Sequence, residues 1–364
     1  MREAISFLSH ARADLEAQGH ELQTVRIATQ PLAEYLPDWK SDAGMRTIEG
    51  LDRIAREANL VLSVGPVLDR EGYDPDFAAW AAEMLGRTTQ VSMSVTVASG
   101  EGGIHPGNVR AAAESILAIS RGTPGGIGNF RFAAAAMVPS GTPFFPVAYF
   151  TGERTFSLGL ETPNLLLEGI TRAASGATAP LSMRSHLEAE LGPLEVVAQE
   201  LARREGWTYV GVDVSPAPGL DASIGAVIEA LSGVPFGEPA TLAACAALTR
   251  VLQEVNVQRC GYSGLMLPVL EDPVLAARAA ERRYGVQDLL LYSSVCGTGL
   301  DVVPLAGSVS AVELERVIGD VAALAHRYRK PLSARLFPVP GKEVGDIVTF
   351  DDPYLTDGVV MPLR

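Results

Sequence analysis

The stretch VSMSVTVASGEGGIHPGNVRAAAESILAISRGTPGGIGNFRFAAAAMV, residues 91–138, indicates the fold of this chain. It begins with the largely apolar run VSMSVTV (91–97) and ends with FRFAAAAMV (130–138), and such runs are typical of strands covered on both faces. Between them, GNVRAAAESILAIS (107–120) places its apolar residues at the spacing of an amphipathic helix. A strand, a helix and a second strand in succession are the repeating unit of an α/β fold.

The same alternation of strands and helices runs along almost the whole chain. Further helical patterns occupy residues 194–206, 238–255 and 311–329. The other predicted strands are VRIAT (25–29), LVLSV (60–64), TFSLGL (155–160), TYVGVDV (208–214), LMLPV (265–269), DLLLYSSV (288–295), LSARLFPV (332–339) and DIVTF (346–350).

No internal repeat, low-complexity linker or charge run divides the chain, so we predict a single large α/β domain over residues 1–364. It comprises an N-terminal helix at 1–20 and barrel-like βα units at 24–364. The number of units is close to that of a closed barrel or a ten-strand arrangement, although spacing alone is equally compatible with an open sheet. Gly/Pro-rich loops at the strand ends are the expected place for function in such folds.

The composition describes an acidic protein of 364 residues, 47% of them hydrophobic, with a formal net charge of −14. This charge argues against nucleic acid as a partner, because phosphate binding depends on clustered Lys and Arg. No polybasic run points to a membrane surface, and no apolar run approaches the length of a membrane span. The N-terminus lacks the apolar segment of a signal peptide. Three scattered cysteines fit a reducing cytoplasm rather than a disulfide framework.

The Gly-rich loops lack the nucleotide-binding patterns G-x-G-x-x-G and GK[ST], so no nucleotide cofactor, Rossmann dehydrogenase or P-loop NTPase is expected. The loop SGEGGIHPGN (99–108) leads into a helix whose free N–H groups could hold an anion. A tight turn capped by Asn108 is the simpler interpretation. His105 in this loop is a candidate general acid or base, with an ordinary surface histidine as the alternative.

Oxygen-bearing side chains follow the predicted strand at 208–214, in the stretch VDVSPAPGLDAS (212–223). Oxygen ligands at a strand end suit a divalent cation such as Mg²⁺ or Ca²⁺, which Asp213 and, farther along the chain, Asp301 would bind. Asx-turns and helix caps would use the same residue types. Asp213 is the stronger candidate, because it lies inside an apolar strand where a carboxylate needs a partner.

Near the end of the chain, SSVCGTGLDVVPL (293–305) places Cys296 directly after the predicted strand DLLLYSSV (288–295). A nucleophilic cysteine needs a cation, a helix N-terminus or a base to lower its pKa, and none is local in the sequence. Free cysteines are also among the most buried residues, so packing is the alternative. Asp301 is a candidate general base, a metal ligand or a turn former.

Three predicted strands contain an arginine: Arg26, Arg131 and Arg335. A buried guanidinium is costly without an anion. Internal salt bridges, for example with Asp213 or Glu161, would satisfy these residues, and a bound carboxylate or phosphate would do so equally well. We therefore count the three arginines as candidate substrate-binding residues.

From about Thr24 onward the chain resembles the bacterial and archaeal family known as domain of unknown function 711. The resemblance implies a fold similar to the pyruvate formate-lyase-like, ten-stranded α/β barrel. It does not imply radical chemistry, because the C-terminal stretch DDPYLTDGVVMPLR lacks a glycyl-radical motif. The matching segments are TVRIATQPL (24–32), VDVSPAP (212–218), YSGLMLPVLED (262–272), VCGTGLDVVPL (295–305) and RLFPVPGKEVGDIVTF (335–350).

Mapped onto this chain, the family's D-x-S segment falls on Asp213 and Ser215, and its Ser-Gly pair begins at Ser263. The middle of the chain departs from the family, because GLETPN (159–164) replaces a Gly-rich segment and Tyr-Phe-Thr (149–151) replaces a Phe-His-Gly. A pocket built there should differ from that of the relatives. The predicted catalytic residues are Cys296, Asp301, Asp213 and His105, and the predicted substrate-binding residues are Arg26, Arg131, Arg335, Ser215, Ser263 and Glu161.

These residues suggest a non-radical hydrolase or lyase that acts on a small polar, anionic substrate in a central cavity of the barrel. The arginines would hold the anionic group, and the carboxylates and His105 would transfer protons or bind a cation that activates water. A ligand-binding regulatory protein that uses the same cavity without turnover is the alternative. A homodimer is the default expectation for the assembly.

Overall fold

Most of the apolar runs predicted as strands lie in the sheets of the computed structural model, which describes residues 1–295 and 297–363. The strands are β1 (Arg26–Ala28), β2 (Val61–Leu68), β3 (Val91–Ser99), β4 (Gly103–Ile104), β5 (Phe132–Ala136), β6 (Thr155–Leu160), β7 (Thr208–Pro216), β8 (Gly299–Ala306), β9 (Leu332–Val339), β10 (Ile347–Val348) and β11 (Gly358–Val359). The helices are α1 (Arg2–Ala17), α2 (Leu32–Tyr35), α3 (Asp42–Glu57), α4 (Phe77–Arg87), α5 (Pro106–Gly122), α6 (Pro163–Thr171), α7 (Ala179–Glu205), α8 (Ile224–Ser232), α9 (Thr241–Glu254), α10 (Pro273–Ala280), α11 (Val286–Ser293) and α12 (Ala311–Tyr328).

The main sheet has the strand order β1-β2-β3-β5-β9-β8, with the short β4 paired to β3. Its first four strands are parallel, β9 runs antiparallel to β5, and β8 is parallel to β9. A second sheet consists of the parallel strands β6 and β7, and β10 and β11 form a small antiparallel pair. The mixed α/β class with a mostly parallel sheet is therefore confirmed.

Strand β5 illustrates why the strands read as apolar runs without alternation. Phe132, Ala134 and Ala136 belong to the large core that the helices cover. Ala133 and Ala135 pack in a separate apolar cluster on the opposite face of the strand. Because both faces are covered, neither favours polar side chains.

Two isolated bridges extend the sheets by short pairings. Val212 of β7 pairs in parallel with Arg259, and Asp301 of β8 pairs in parallel with Pro268. The predicted strand at 265–269 is thus reduced to a bridge, supported by the bond from Val269 N to the Asp301 carbonyl (3.0 Å). Within the described residues, strand pairing does not close into a ring.

One strand prediction is wrong. DLLLYSSV (288–295) lies mostly in helix α11, Val286–Ser293. A short apolar run does not distinguish a buried strand from a buried helix by periodicity. Here Asp288 accepts a hydrogen bond from Gly285 N (2.8 Å), and this contact favours the helix by pairing a free N–H group at its start.

A single connected cluster of buried apolar residues extends from Leu15 in α1 to Met361 near the C-terminus. The predicted N-terminal helix is present as α1, which buries Phe7, Ala11 and Leu15 on one face. Within the described residues, no helix combines the length and the apolar character that crossing a bilayer requires.

Candidate functional site

Arg335 on β9 lies between two carboxylates. Its Nε donates to Asp301 Oδ1 at 2.6 Å, and its Nη2 donates to Glu271 Oε1 at 2.8 Å. The Arg335 and Asp301 side chains are 8% and 7% exposed, so both charges are largely removed from water. Burial alone would lower the pKa of Arg335, but the two carboxylates raise it above its usual value. Arg335 therefore forms internal salt bridges, which was one of the two alternatives for a buried arginine in a strand.

Glu271 is a site residue that sequence reasoning missed. Burial raises the pKa of this carboxyl above its usual value, and the neighbouring Arg335 only partly opposes the shift. Glu271 directly follows the apolar run at 265–270, and a carboxylate immediately after such a run is the signal that could have identified it. A carboxyl group with a raised pKa beside a buried arginine is suited to proton transfer near neutral pH.

Asp213 on β7 is fully buried and holds the loop that follows Cys260. Its Oδ2 accepts from Tyr262 N at 2.7 Å, and its Oδ1 accepts from Ser263 N at 2.8 Å. Ser215 also donates to Oδ1, both from its backbone N (3.0 Å) and from its hydroxyl (2.6 Å). Burial raises the pKa of Asp213, while these hydrogen bonds lower it.

The segments that resemble the family meet in space. Ser215 Oγ accepts from Gly264 N at 3.0 Å, which joins the D-x-S segment to the Ser-Gly pair. Gly264 in turn lies against Gly297, so closely that an added Cβ on Gly264 would be 2.5 Å from the Gly297 Cα. The structure thus brings Asp213, Ser215 and Ser263 to the start of the segment that contains Asp301.

Both side-chain oxygens of Asp213 and one of the two of Asp301 already accept hydrogen bonds within the protein. Asp213 accepts four hydrogen bonds from N–H and O–H donors, and Asp301 Oδ1 accepts from Arg335. In the part of the chain that the structure describes, no three His, Cys, Asp or Glu side chains are grouped to hold a metal ion. A divalent cation at Asp213 therefore does not fit the donors around it.

Arg26 lies in a cleft of about 1500 Å³ lined mainly by β1, β6, the segment 141–150 and the inner face of α1; we call it the Arg26 cleft. The guanidinium donates from Nε to Thr24 Oγ1 (2.9 Å) and from Nη1 to the Pro143 carbonyl (3.4 Å). Its Cζ lies 5.4 Å from the centre of the Phe145 ring. Among the described residues, Arg26 has no carboxylate within ion-pair distance, unlike Arg335.

Electrostatic interactions link Arg26 to the buried ion cluster that consists of Arg335, Asp301 and Glu271. Burial lowers the pKa of Arg26, the negative charge of Glu271 opposes this, and the positive charge of Arg335 adds to it. Arg26 and Arg335 thus share one electrostatic environment with Glu271. The second wall of the cleft carries Glu161, which accepts from Gln23 Nε2 at 2.8 Å.

His105 and Arg131 are not among the predicted residues that the structure brings together. His105 is buried at the start of α5, where its Nε2 lies 3.1 Å from Ser99 Oγ and its Nδ1 lies 3.3 Å from the Thr96 carbonyl. The alternative of a surface histidine is therefore wrong, because the ring is 3% exposed and orders its own loop.

Arg131 fixes the end of a helix. Its Nη2 donates to the Leu85 carbonyl at 2.6 Å, and its Nη1 donates to the Val91 carbonyl at 2.8 Å and to Thr88 Oγ1 at 3.2 Å. Arginine commonly pairs with the free carbonyls at a helix C-terminus, here that of α4. These three bonds hold the buried guanidinium from within the protein, and a substrate-binding role of Arg131 stays a prediction.

The predicted nucleophile Cys296 lies outside the described residues. Cys260, next to the loop that Asp213 holds, is part-buried, and burial raises the pKa of its thiol to about 12. A thiol with this pKa is protonated at neutral pH and is a poor nucleophile.

The segments that meet at the site all lie within the part of the chain that matches a known protein family. The sequence profile of the family described as Uncharacterised ACR (DUF711) matches residues 1–351. A UPF0210 protein of Desulfovibrio desulfuricans is 28% identical over 93% of this chain and 79% of its own length. A UPF0210 protein of Pyrobaculum aerophilum is 30% identical over 90% of this chain and 76% of its own length. Because the profile match spans nearly all of the sequence, the chain belongs to the DUF711 family.

Proposed function

We propose that this protein binds a small anionic molecule at Arg26 and acts on it as a non-radical hydrolase or lyase in the cytoplasm. The observation that carries the proposal is the guanidinium of Arg26, which lines a large cleft and has no carboxylate partner among the described residues. A partly buried cation of this kind favours a carboxylate or phosphate of the ligand as its partner.

Glu271 is the group we assign to proton transfer. Its carboxyl has a raised pKa and its negative charge acts on Arg26, so an anion bound at Arg26 would be electrostatically coupled to a group able to hold a proton. Arg335 and Asp301 position this carboxyl through the bonds of the ion cluster. We keep Cys296 as the candidate nucleophile.

The same proposal includes the finer architecture. We propose that the two sheets are parts of a ten-stranded, barrel-like arrangement similar to the pyruvate formate-lyase-like fold, open between β1 and β6. The bridges at Val212–Arg259 and Pro268–Asp301 support it, because each adds one chain segment and together they bring the eight longer strands of the two sheets to ten. In such a barrel the ion cluster would face the interior.

A ligand-binding protein without turnover is the second candidate. It is favoured by one observation: Asp213 and His105, two of the predicted catalytic residues, are occupied by hydrogen bonds within the fold. The two candidates differ in whether the bound molecule is changed chemically.

Binding is tested by thermal-shift and calorimetric titration of wild-type protein with acetate, citrate and phosphate, alongside Arg26→Met. We expect a stabilising anion whose affinity falls at least tenfold in this variant. Arg154→Met is the matched control, since Arg154 also lines the cleft but is already paired with Glu3 (2.7 Å). Equal anion affinity in Arg26→Met and the wild type would refute the proposal.

Turnover is tested on citrate, the probe with C–C and C–O bonds that a lyase could break, by following its proton NMR spectrum with wild-type protein and with Glu271→Gln. We expect new resonances with the wild type, and unchanged binding without conversion in Glu271→Gln. Conversion at the wild-type rate in that variant would exclude Glu271 as the proton-transfer group. An unaltered ligand with the wild type would favour the binding protein.

A further inference from the structure

The Arg26 cleft runs along two sheet edges. β1 pairs only with β2, and β6 pairs only with β7, among the strands described, so each leaves one edge without a strand partner. Every residue of both strands lines the cleft. Because successive side chains point to opposite faces, a cavity that meets all of them must follow the strand edge, where unpaired N–H and C=O groups lie.

The two edges run in opposite directions and are joined at both ends. Gln23, just before β1, donates to Glu161, just after β6, at 2.8 Å. At the other end, Phe150 N donates to the carbonyl of Thr29, just after β1, at 3.1 Å, and the chain continues from there into β6. The cleft is therefore a window between antiparallel edges, framed by these two hydrogen bonds.

One additional strand is the element that could pair with both edges of this window. Neighbouring strands lie about 4.8 Å apart, so a strand inserted between two others needs roughly 10 Å between their backbones. At the framed end, the full side chains of Gln23 and Glu161 and one hydrogen bond span the gap. Open strand edges of this kind are filled in other proteins by extended peptides, whose main chain supplies the missing hydrogen bonds.

The charges along the window suit a ligand with one negatively and one positively charged end. Arg26 provides a positive charge, and the framed end carries Glu161, whose pKa is raised by burial and by the nearby Asp221 and Glu21. Gln23, the hydrogen-bond partner of Glu161, lies three residues before Arg26. Three residue steps of an extended backbone cover about 10 Å. An extended tripeptide has about the same distance between its ammonium and carboxylate groups.

We infer that the Arg26 cleft binds a short extended peptide of about three residues, with its C-terminal carboxylate at Arg26, its N-terminal ammonium at Glu161 and Asp221, and its main chain paired with the edges of β1 and β6. This inference rests on the proposed function and deepens it by naming the substrate class. Apolar residues of the lining, such as Phe144, Leu158 and Leu160, would contact the side chains of the peptide.

The experiment uses the tripeptide Val-Val-Val as the probe, with calorimetry and with the fluorescence of Trp207, which also lines the cleft. Amidation of its C-terminus should weaken binding at least tenfold in the wild type, with little further effect in Arg26→Met. Acetylation of the peptide's N-terminus should also weaken binding at least tenfold in the wild type, with little further effect in Glu161→Gln. Methylation of the central peptide nitrogen should weaken binding although it changes no charge.

Each outcome separates this inference from the function on which it rests. If acetate and free valine bind as tightly as the tripeptide, and Arg26→Met abolishes binding of all three, the peptide is ruled out and the anion site stands. If N-methylation has no effect, the main chain does not pair with the edges and the inference fails. If Arg26→Met leaves the affinity for every carboxylate unchanged, the proposed function itself is overturned. Arg154→Met, which should bind the tripeptide like the wild type, controls for general changes in the cleft.

Discussion

Asp301 and Arg335 lie on the adjacent parallel strands β8 and β9, and Arg335 Nε donates to Asp301 Oδ1 at 2.6 Å with both side chains nearly excluded from solvent. The strand register brings the two residues together although they are far apart in the sequence. With Glu271 as the second partner, one cation compensates two carboxylates.

Replacing Arg335 with methionine should destabilise the protein by roughly 3–5 kcal/mol, because it leaves Asp301 and Glu271 buried without a counter-ion. Urea denaturation with the linear extrapolation measures this change. Arg250→Met is the control, since Arg250 forms an ion pair with Glu254 but its side chain is 79% exposed, and we expect little change there. Equal effects of the two substitutions would show that the ion cluster contributes no more to the free energy of unfolding than an exposed ion pair does.

Asp213→Asn should destabilise the protein by about 2–4 kcal/mol. Asparagine keeps the shape of the side chain, but its amide NH₂ would face N–H donors such as those of Tyr262 and Ser263, so buried donors lose their acceptor. The measurement is the free energy of unfolding, with Asp221→Asn on the exposed part of the same connection as control. Metal content should be the same in wild-type protein and Asp213→Asn; loss of a bound metal in the variant would contradict our assignment of Asp213.

Arg131→Met should destabilise the protein by roughly 2–3 kcal/mol through the loss of its bonds to the Leu85 and Val91 carbonyls. The affinity for the anion that binds at Arg26 should not change. Chemical denaturation and calorimetric titration of the same preparation measure the two quantities. A tenfold loss of affinity without loss of stability would support the predicted ligand-binding role of Arg131.

Glu271 should make the stability depend on pH. Burial raises its pKa from the usual 4.5 to about 7, so between these values the folded state holds a proton that the unfolded state has released. The contribution of Glu271 to the free energy of unfolding should therefore fall as the pH rises from about 4.5 to 7, and Glu271→Gln should lack this contribution while other buried carboxyls, such as Asp213, still titrate. Urea titrations at half-unit pH steps test this. A variant with the same slope as the wild type would show that another group titrates.

Much of the fold can be predicted from the sequence. Continuous apolar runs predict β2, β3, β5, β7 and β9, because strands covered on both faces exclude polar residues. There are three exceptions: the run at 288–295 forms helix α11, because a short apolar run fits a buried helix as well as a strand. The run at 265–269 forms only a bridge, and β8, which carries Asp301, is not among the predicted strands. The sequence also predicts that buried arginines and Asp213 need partners, because the cost of burying an unpaired charge does not depend on the fold.

Only the tertiary structure decided which partner each charged residue has. Arg335 is paired with Asp301 and Glu271, Arg131 with helix carbonyls, and Arg26 with no carboxylate among the described residues. The three arginines look alike in the sequence, since each follows or precedes apolar residues in a predicted strand. Their roles differ because the pairing of the strands brings residues together that are distant in the sequence. This pairing determines whether a carboxylate of the protein lies beside each arginine. The sequence determined which side chains require a partner, and the packing of the strands determined that Arg26 has no carboxylate partner among the described residues.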